Sequence, residues 1–531
     1  MKHFLIIILL LSSCSSNIKE FPDLALGEIG LEQEEETTNL RPGLKFIEIK
    51  RGHTSQNDYY TLSSGVISKT KADRLQVKLR SLGYLVKTEY SPEKDPHGQP
   101  LGVIVRTGRF NGVEDVEKKG RELQKQGINM AIRHTSEDGN ITSGPFQISL
   151  LEIDLNEFTG KMKAALSLGR ILGNETTSGI SKRNNAIAAV NAGFFAWDTV
   201  VGLPGDPAGI SIVNGRLLSE GIEGRAALVI RSNDTTNSVL VAHNVKTSIK
   251  LSLQDTVFTV NGFNRALGKV LNCGNKIGSS SELPIHDFVC MNENEIVVFT
   301  PEFDSRGAAG KGLEIAVDRT RKVISISNQR GGEIPQEGFL VQAIGEMGAL
   351  LGNHIKIGER ISIESRVTSD EGEIKLTEGV YTLNGGPTLL RNGQMCLSDR
   401  YREGWETQFE NDKVTDEFVD KKDKAALVDD DADNRFGFYH GWVVRRHPRT
   451  AIGLTHDNKV YVAVVYGRQP GVSSGANITE MAEMMKRLGA IEAFNLDGGG
   501  SSMMLVDGKR TGNSSDATGE REVGDALIFT D

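Results

Sequence analysis

The order of apolar and polar positions between residues 45 and 140 shows the same plan twice. A short apolar strand at Phe46 precedes a segment with apolar positions at helical spacing, and Gly83 is placed to end that helix. The plan repeats from Leu101 to Ile132 as strand, helix and strand. This pattern predicts a small βαββαβ unit over residues 45–140, with two helices packed on one sheet.

The rest of the chain has a different character. Residues 15–44 are mostly polar, with an acidic patch at 34–36, and we expect a solvated tether. Residues 145–531 have short alternating strands and many glycine turns, which predicts one large mixed-sheet domain with its cleft at the strand ends. A charged segment at about 399–438 is predicted to be a surface insertion. The expected fold class is α+β.

The N-terminus has the features of an export signal. Basic residues at the start lead into an apolar run from Phe4 to Leu11, which is too short to span a bilayer. Residues 11–14 (LSSC) resemble a bacterial lipobox, which implies cleavage before Cys14 and lipidation of its thiol, so that the protein is anchored to the membrane without spanning it. The alternative is an ordinary signal peptide with an incidental cysteine. The lipobox interpretation predicts that the mature protein is anchored by lipid in the bacterial cell envelope, in the periplasm or at the outer membrane.

The charge and the cysteines narrow the expected partners and chemistry. A net charge of −9 without a long basic run gives no reason to expect nucleic acid binding. An oxidising envelope permits disulfides, and Cys273 and Cys290 flank a polar loop across which we expect them to pair. Free buried thiols are the alternative, since spacing does not determine connectivity.

Between Arg445 and Lys509, apolar positions that include Ile478, Met481 and Met485 recur at helical spacing, with Asn477 or Thr479 available as N-cap. This pattern predicts a helix packed on a sheet.

The same segment, from Arg445 to Lys509, contains the most informative chemistry. An apolar strand ends near Asp497, and Gly498, Gly499, Gly500 and Ser501 follow it. Successive glycines let a backbone approach a ligand closely and can direct amides at an anion, and a carboxylate beside them can act at a glycosidic centre. Taken alone, the same residues are also typical of a tight hairpin turn.

Five motifs occur in the order found in the phosphodiester glycosidase family, which they resemble. They are NAGFF (191–195), NGGPTLLRNG (384–393), HPRTAIG (447–453), GRQPG (467–471) and NLDGGGSS (495–502). The resemblance covers roughly residues 150–531. It implies a glycoside hydrolase that acts on a sugar phosphodiester or a related glycosidic linkage.

Carried over to this sequence, the resemblance implies that Asn191, Arg449 and Asp497 with its glycine run line the active cleft. Asp497 is the expected catalytic carboxylate, and the Arg449 guanidinium suits a pair of phosphate oxygens. Gly498, Gly499, Gly500 and Ser501 are expected to contact substrate. Asn191 is expected either to bind substrate or to hold the turn that it begins.

A glycosidase normally needs a second carboxyl group. Glu314, in GLEIAVD, is the first candidate, with a buried structural acid as the alternative. Asp206, in LPGDPAG, is another, although a role in its turn is the competing interpretation.

Two positions depart from the family pattern. Tyr466 stands where relatives commonly have an aspartate before GRQPG, and Ala192 stands where some have glycine. Tyr466 raises doubt about a metal or sugar contact at that place, or indicates a reshaped sugar pocket.

No cofactor is expected to be required. Asp429, Asp431 and Asp433 alternate as in a calcium loop, but the glycine and the closing glutamate are missing at the required spacing, so calcium is possible but not favoured. His440 and His447 have no compact ligand pattern around them, and we therefore expect no zinc site.

The βαββαβ pattern, together with VRTGRF (105–110), resembles the sporulation-related repeat (SPOR) domain, which implies peptidoglycan binding. A generic spacer or a cap over the catalytic domain is the alternative. The combined hypothesis is an envelope hydrolase targeted to the cell wall by its N-terminal unit. The competing hypothesis is a non-catalytic lipoprotein that binds saccharide or peptidoglycan.

Overall fold

A computed structural model describes residues 21–92, 100–234, 236–273, 284–396, 403–405 and 440–531. The α-helices within these residues are α1 (Lys69–Ser81), α2 (Val113–Lys125), α3 (Thr177–Arg183), α4 (Gly345–His354) and α5 (Ile478–Arg487). A π-helical turn covers His440–Val444.

The first strands in chain order are β1 (Gln33–Arg41), β2 (Leu44–Arg51), β3 (Tyr60–Ile67), β4 (Val86–Tyr90), β5 (Val103–Phe110), β6 (Ala131–His134), β7 (Phe146–Asp154), β8 (Lys161–Leu166), β9 (Glu175–Thr176), β10 (Ala188–Asn191), β11 (Ser211–Val213), β12 (Arg216–Ser219), β13 (Ala227–Ser232), β14 (Asn237–Ala242), β15 (Lys246–Leu253), β16 (Thr256–Thr259), β17 (Gly262–Phe263) and β18 (Lys269–Leu271). The remaining strands are β19 (Val289–Met291), β20 (Ile296–Phe299), β21 (Gly310–Val317), β22 (Val323–Arg330), β23 (Phe339–Ala343), β24 (Ile361–Ser369), β25 (Gly372–Ile374), β26 (Val380–Asn384), β27 (Thr388–Arg391), β28 (Gln394–Met395), β29 (Arg449–Thr455), β30 (Lys459–Val465), β31 (Ala490–Asn495), β32 (Met504–Val506), β33 (Lys509–Arg510), β34 (Glu522–Val523) and β35 (Asp525–Thr530).

An eight-stranded antiparallel sheet in the order β1-β2-β7-β30-β29-β31-β27-β28 is the centre of the fold. One of its faces shares a buried core with the sheet β33-β32-β10-β35-β8 and with strand β13, while α5 packs on the other face. Both faces are therefore covered, which explains why β30 and β31 are almost continuously apolar. The large mixed-sheet domain expected from the sequence is observed.

Three further sheets, β12-β11-β26-β13-β14, β16-β15-β24-β25 and β17-β20-β23-β21-β22, enclose a third core that contains Ile249, Ile315 and Val341. The short pairs β18-β19 and β34-β9 complete the large domain. Among the strands that the structure describes, pairing is antiparallel except between β17 and β20.

Helix α5 begins where its sequence predicts. The Asn477 side chain accepts from the Glu480 amide, and the Glu480 carboxylate accepts from the Asn477 amide. This reciprocal cap satisfies two amide groups that the first helical turn leaves without partners. The apolar stripe that includes Met481 and Met485 is buried in the core, as the spacing predicts.

The prediction of a solvated tether over residues 15–44 is wrong for the described part of that range. Phe21, Leu24 and Leu26 are buried in the core beneath α5, and β1 and β2 form the edge of the large sheet. The glutamates of β1 occur on a strand because an edge strand leaves one side exposed to water. Cys14 and the signal-like segment lie outside the described residues.

The small unit has the predicted βαββαβ order but narrower bounds. It runs from β3 to β6, with strand order β4-β5-β3-β6, all antiparallel, and α1 and α2 packed on one face around Leu62, Leu79 and Val105. The strand predicted at Phe46 belongs to the large sheet as β2, so the unit starts after residue 51 and not at 45. This topology is the ferredoxin-like split βαβ arrangement.

The predicted charged insertion at about 399–438 is described only at residues 403–405. There Glu403 and Trp405 are buried, so this part is not a surface excursion. The possible calcium residues Asp429, Asp431 and Asp433 lie outside the described residues. The expected pairing of Cys273 with Cys290 is confirmed by a disulfide, and Cys396 is not part of a disulfide.

No helix in the described part of the chain is both long enough and apolar enough to cross a bilayer.

Candidate active site

Three strands bring the family motifs together at one edge of the two packed sheets. Strand β29 starts at Arg449, its antiparallel neighbour β31 ends at Asn495, and β10 of the second sheet ends at Asn191. Because antiparallel neighbours place the start of one strand beside the end of the next, Arg449 and Asp497 reach the same place. A cleft of about 1040 Å³ opens there.

Asp497 lies in this cleft and is partly buried. Its Oδ1 accepts from the Gly498 amide at 2.8 Å, and the cleft also contains Arg449 and Arg521. Burial raises the pKa of Asp497 to about 6, although the Ser501 hydroxyl, the Gly498 amide and the two arginines favour the ionised form. Asp497 can therefore exchange a proton near neutral pH.

Asn191 holds the backbone of Asp497 and does not reach the cleft. Its Nδ2 donates to the Asp497 carbonyl at 2.7 Å, and its Oδ1 accepts from the Thr450 hydroxyl at 2.8 Å and from the Met503 amide at 3.1 Å. The side chain is fully buried. Of the two roles that the sequence left open, these contacts match a structural one, since Asn191 joins β10, β29 and the Asp497 turn.

The amides of Gly498, Gly499 and Ser501, which were expected to face a bound anion, donate to acceptors within the protein. The amides of Gly498 and Gly499 donate to Asp497 Oδ1 and to the Pro448 carbonyl, and those of Ser501 and Ser502 donate within the loop itself. The glycines instead allow close approach, because a Cβ on Gly500 would lie 2.3 Å from Asp516 Oδ2. Gly498, Gly499 and Ser501 line the cleft.

Arg449 is a buried cation at the cleft. Its Nε donates to the Ala476 carbonyl at 3.2 Å, another nitrogen donates to the Trp442 carbonyl, and the guanidinium carbon lies 4.8 Å from the centre of the Trp442 ring. Burial, together with the nearby charge of Arg468, lowers the pKa of Arg449 to about 9, while Asp497 opposes that shift. A buried cation held by carbonyl groups retains charge for an anionic ligand.

Two more arginines line the same cleft and were missed from the sequence. Arg468, in GRQPG, donates from Nε to His447 Nδ1 at 3.1 Å, and the other His447 nitrogen contacts the Gly441 carbonyl. Burial and the surrounding arginines hold the pKa of His447 well below its usual range, so this ring is neutral. Arg521 pairs with Asp516 at 2.7 Å. The cleft therefore contains three guanidinium groups.

Asp287 is a second cleft carboxyl, also missed from the sequence. It lies between the disulfide cysteines in sequence, next to the buried His286. Its side chain is 40% exposed, and the surface it exposes faces the cleft. Desolvation within the cleft raises the pKa of Asp287 to about 6, with Arg225 opposing the shift and Asp497 adding to it. Asp287 and Asp497 thus influence each other's titration.

Asp525 lies behind the cleft in β35. It accepts from the Gly193 amide at 2.6 Å, and burial, with a further contribution from Asp497, raises its pKa to about 7. It holds the NAGFF turn and is absent from the cleft lining.

Comparison with known proteins agrees with this arrangement. Residues 311–530 match the family described as phosphodiester glycosidase, a range that contains Arg449, Arg468 and Asp497. The chain belongs to the phosphodiester glycosidase family. The matched range is narrower than residues 150–531, over which the motifs were found.

The phosphodiester glycosidase domain also has relatives among solved structures. A crystal structure of a protein from Burkholderia pseudomallei K96243, named as an exported protein, is 31% identical, covers 96% of this chain and 99% of its own, and has a TM-score of 0.86. A protein from Synechocystis shares the fold at 15% identity, with 94% of this chain and 81% of its own covered and a TM-score of 0.51.

A curated relative matches a short part of the chain. The SPbeta prophage-derived protein YomE of Bacillus subtilis (strain 168) is 44% identical over 85 residues, which are 16% of this chain. The chain spans only 13% of the length of YomE.

The structure does not bring Glu314 into the cleft of the phosphodiester glycosidase domain. Its carboxylate accepts from the amides of Gly331 and Gly332 and from Gln342 Nε2 at 2.7 Å, so it holds a turn after β22. Asp206 is also absent from the cleft lining. It is buried beside Glu220 and Arg265, and burial raises its pKa well above the usual range.

Tyr466, the departure from the family pattern, lies in the core between the two sheets. Its hydroxyl is 2.8 Å from Thr511 Oγ1, and the residue is absent from the cleft lining. Ala192 is buried in the same core. The expectation that Tyr466 reshapes the sugar pocket is therefore not supported by its position.

Among the described residues, no three His, Cys, Asp or Glu side chains cluster as metal ligands. Burial, together with the nearby charge of Arg445, lowers the pKa of the His440 imidazole to about 3.

Proposed function

We propose that this cleft hydrolyses the bond between the anomeric carbon of a sugar and a phosphodiester oxygen. The observation that carries the proposal is the pair Asp497 and Asp287, two carboxyl groups in one cleft whose pKa values are both raised to about 6. Family membership supports the same reaction class. Glycosidases generally use two carboxyl groups.

The pair can divide the work of proton transfer. When the two groups share one proton, the protonated carboxyl can donate to the leaving oxygen and the ionised one can accept from water. The water oxygen forms a bond to the anomeric carbon as the bond from that carbon to the phosphodiester oxygen breaks, and its electron pair leaves with the oxygen. The products are a free sugar and a phosphomonoester.

The arginines suit the departing group. Arg449 and Arg468 line the cleft in which Asp497 lies, and the buried Arg449 donates to the carbonyl groups of Ala476 and Trp442. Preorganised cations at a site of developing charge lower the barrier without reorganising in the reaction. This places phosphate recognition on the cationic part of the lining.

The alternative of a non-catalytic saccharide-binding lipoprotein rested on Tyr466 in place of an acid. Since Tyr466 packs in the core, the observation that favoured this alternative no longer concerns the cleft. If the unmutated protein binds saccharide but turns over no substrate, this alternative is again the better interpretation.

We further propose that the protein is exported and lipid-anchored through Cys14, and that the small βαββαβ unit binds peptidoglycan. The lipobox-like LSSC and the exported relative from Burkholderia pseudomallei support export. The topology from β3 to β6 supports a SPOR-like unit. Metabolic labelling with a fatty acid, compared between the intact chain and Cys14→Ala, tests the anchor.

The central experiment measures sugar release from a panel of sugar phosphodiesters by the chain from residue 15 onward. Asp497→Asn should abolish turnover while circular dichroism remains unchanged. Asp255→Asn is the matched control, because Asp255 is exposed in the turn between β15 and β16 and should retain full turnover. Turnover retained by Asp497→Asn, or absent from the unmutated protein on every donor, contradicts the proposal.

A further inference from the structure

All three tryptophans of the chain lie at the proposed catalytic cleft. Trp197 and Trp442 line it, and Trp405 is buried directly behind Trp442. Tryptophan combines a large apolar surface with one hydrogen-bond donor. The presence of three tryptophans at a polar cleft therefore indicates a ligand that has both an apolar face and polar groups.

The aromatic groups form one connected cluster. The Trp405 and Trp442 rings stack with centroids 4.9 Å apart and planes 19° apart, and the His286 ring lies 4.0 Å from Trp405. Phe194 contacts both His286 and Trp405. Burial holds the pKa of His286 well below its usual range, so this ring is neutral and behaves as an apolar member.

Two residues of the NGGPTLLRNG motif, together with Glu403, hold the aromatic cluster in place. Asn384 accepts from the Phe194 amide at 2.9 Å and donates to the Phe194 carbonyl at 3.1 Å. Gly386 leaves room for the indole, because a Cβ there would lie 2.6 Å from Trp405. The buried Glu403 accepts from Trp405 Nε1 at 3.1 Å. The cluster is therefore rigid, as a preorganised binding surface requires.

Trp197 is the more exposed of the two tryptophans that line the cleft. It is 50% exposed, on the turn that follows the NAGFF motif. That turn is fixed, because Asp198 accepts from the Val200 amide at 2.9 Å and Lys269 donates to the carbonyls of Thr199 and Val200. A half-exposed indole held at the mouth of a cleft offers an apolar surface for a ligand.

We propose that Trp197, together with the cleft-facing part of Trp442, binds the apolar face of a pyranose ring, while the arginines bind the attached phosphate. The two parts of the lining meet where Arg449 contacts Trp442 at 4.8 Å. The ligand class is thus a pyranose 1-phosphate or its diester, with the ring against tryptophan. This inference rests on the proposed function for the identity of the linkage.

Tryptophan emission provides a direct test, since every tryptophan is at the cleft. The Asp497→Asn chain, which is not expected to turn over, is titrated with N-acetylglucosamine 1-phosphate and separately with inorganic phosphate. Trp197→Ala in this background should weaken binding of the sugar phosphate about tenfold, and Trp197→Phe should restore most of it. Inorganic phosphate binding should remain unchanged in both.

Tyr90→Ala is the matched control, because Tyr90 is 61% exposed in the small unit and absent from the cleft lining. Equal weakening of both ligands by Trp197→Ala, or no change for the sugar phosphate, overturns the assignment of tryptophan to the sugar. The two proposals can fail separately. If no substrate is hydrolysed but Trp197→Ala still weakens sugar phosphate binding, only the proposed reaction is rejected. If Trp197→Ala hydrolyses substrate normally with an unchanged KM, only the role of the tryptophans is rejected.

Discussion

Arg445 Nη2 lies 2.9 Å from Glu137 Oε2, and this ion pair joins the end of the small unit to the segment that carries Trp442 and His447. The adjacent Arg446 donates from one nitrogen to the carbonyls of Ser136, Asp138 and Asn140. The small unit is therefore attached directly to the chain segment that forms one side of the cleft.

This attachment predicts that Glu137 influences catalysis. Glu137 is in the electrostatic range of Arg468 as well as Arg445, and burial raises its pKa. Glu137→Gln should lower kcat/KM a few-fold because the segment before β29 loses its ionic contact. Steady-state kinetics measure it, with Glu122→Gln on α2 as the control, because Glu122 lies in the small unit and its side chain pairs only locally with Lys119 one turn away. Unchanged kinetics would mean that the small unit and the cleft work independently.

Asp497→Asn should make the folded protein more stable above pH 6. The pKa of Asp497 is about 6 in the folded protein and 3.8 in the unfolded chain. The contribution of this carboxyl to stability is therefore fully present below pH 3.8 and is lost as the pH rises through about 6. The ionised Asp497 thus opposes folding by about 3 kcal/mol at pH 8. Thermal unfolding at pH 4 and pH 8 should show a variant Tm several degrees higher at pH 8 alone. An equal Tm difference at both pH values would contradict a raised pKa.

The rate of hydrolysis should follow a bell-shaped pH profile. Asp287 and Asp497 both have pKa values near 6, so the singly protonated pair is most populated near that pH. Asp287→Asn should reduce kcat/KM about a hundredfold and leave a profile with one limb. Profiles measured from pH 4 to pH 9 check both statements, and a bell that survives in Asp287→Asn would assign the second carboxyl elsewhere.

Arg449→Lys should convert a permanent charge into one that titrates. Burial and Arg468 lower the pKa of Arg449 to about 9, and the same surroundings would lower the pKa of a lysine, which starts about two units below that of arginine, further towards neutral pH. The KM for a methyl phosphodiester of N-acetylglucosamine 1-phosphate, whose own charge is constant in this range, should rise above pH 7 in the variant and not in the unmutated protein. The exposed Arg231→Lys is the control. A variant KM that is independent of pH would show that Arg449 does not contact the phosphate.

The sequence was sufficient for features that depend on local pattern. The stripe that contains Met481 predicted α5, the polar loop between Cys273 and Cys290 suggested their bridge, and the glycine run after Asp497 indicated the cleft. Each of these depends on neighbours in the sequence or on a motif with a known order.

Features created by tertiary contacts were not predictable. Asp287 follows no motif, and its role depends on Asp497, which is far away in the sequence and near in the fold. Glu314 has the apolar surroundings of a functional acid, but a turn after the neighbouring strand occupies its oxygens. The polar strand β1 resembled a linker because an edge strand needs few apolar residues.

The path of the chain has a consequence for how this protein can be rebuilt. Strands β2 and β7 are neighbours in the large sheet, with Arg51 opposite Phe146, yet the whole small unit lies between them in sequence. The small unit is thus an insertion in the chain between two neighbouring strands of the large sheet. An N-terminal truncation that removes the small unit would also remove β1 and β2 and leave the edge of β7 unpaired. An internal deletion, with a short linker joining residue 52 to residue 145, would keep all eight strands of the sheet. A different domain could be inserted at the same place, between β2 and β7.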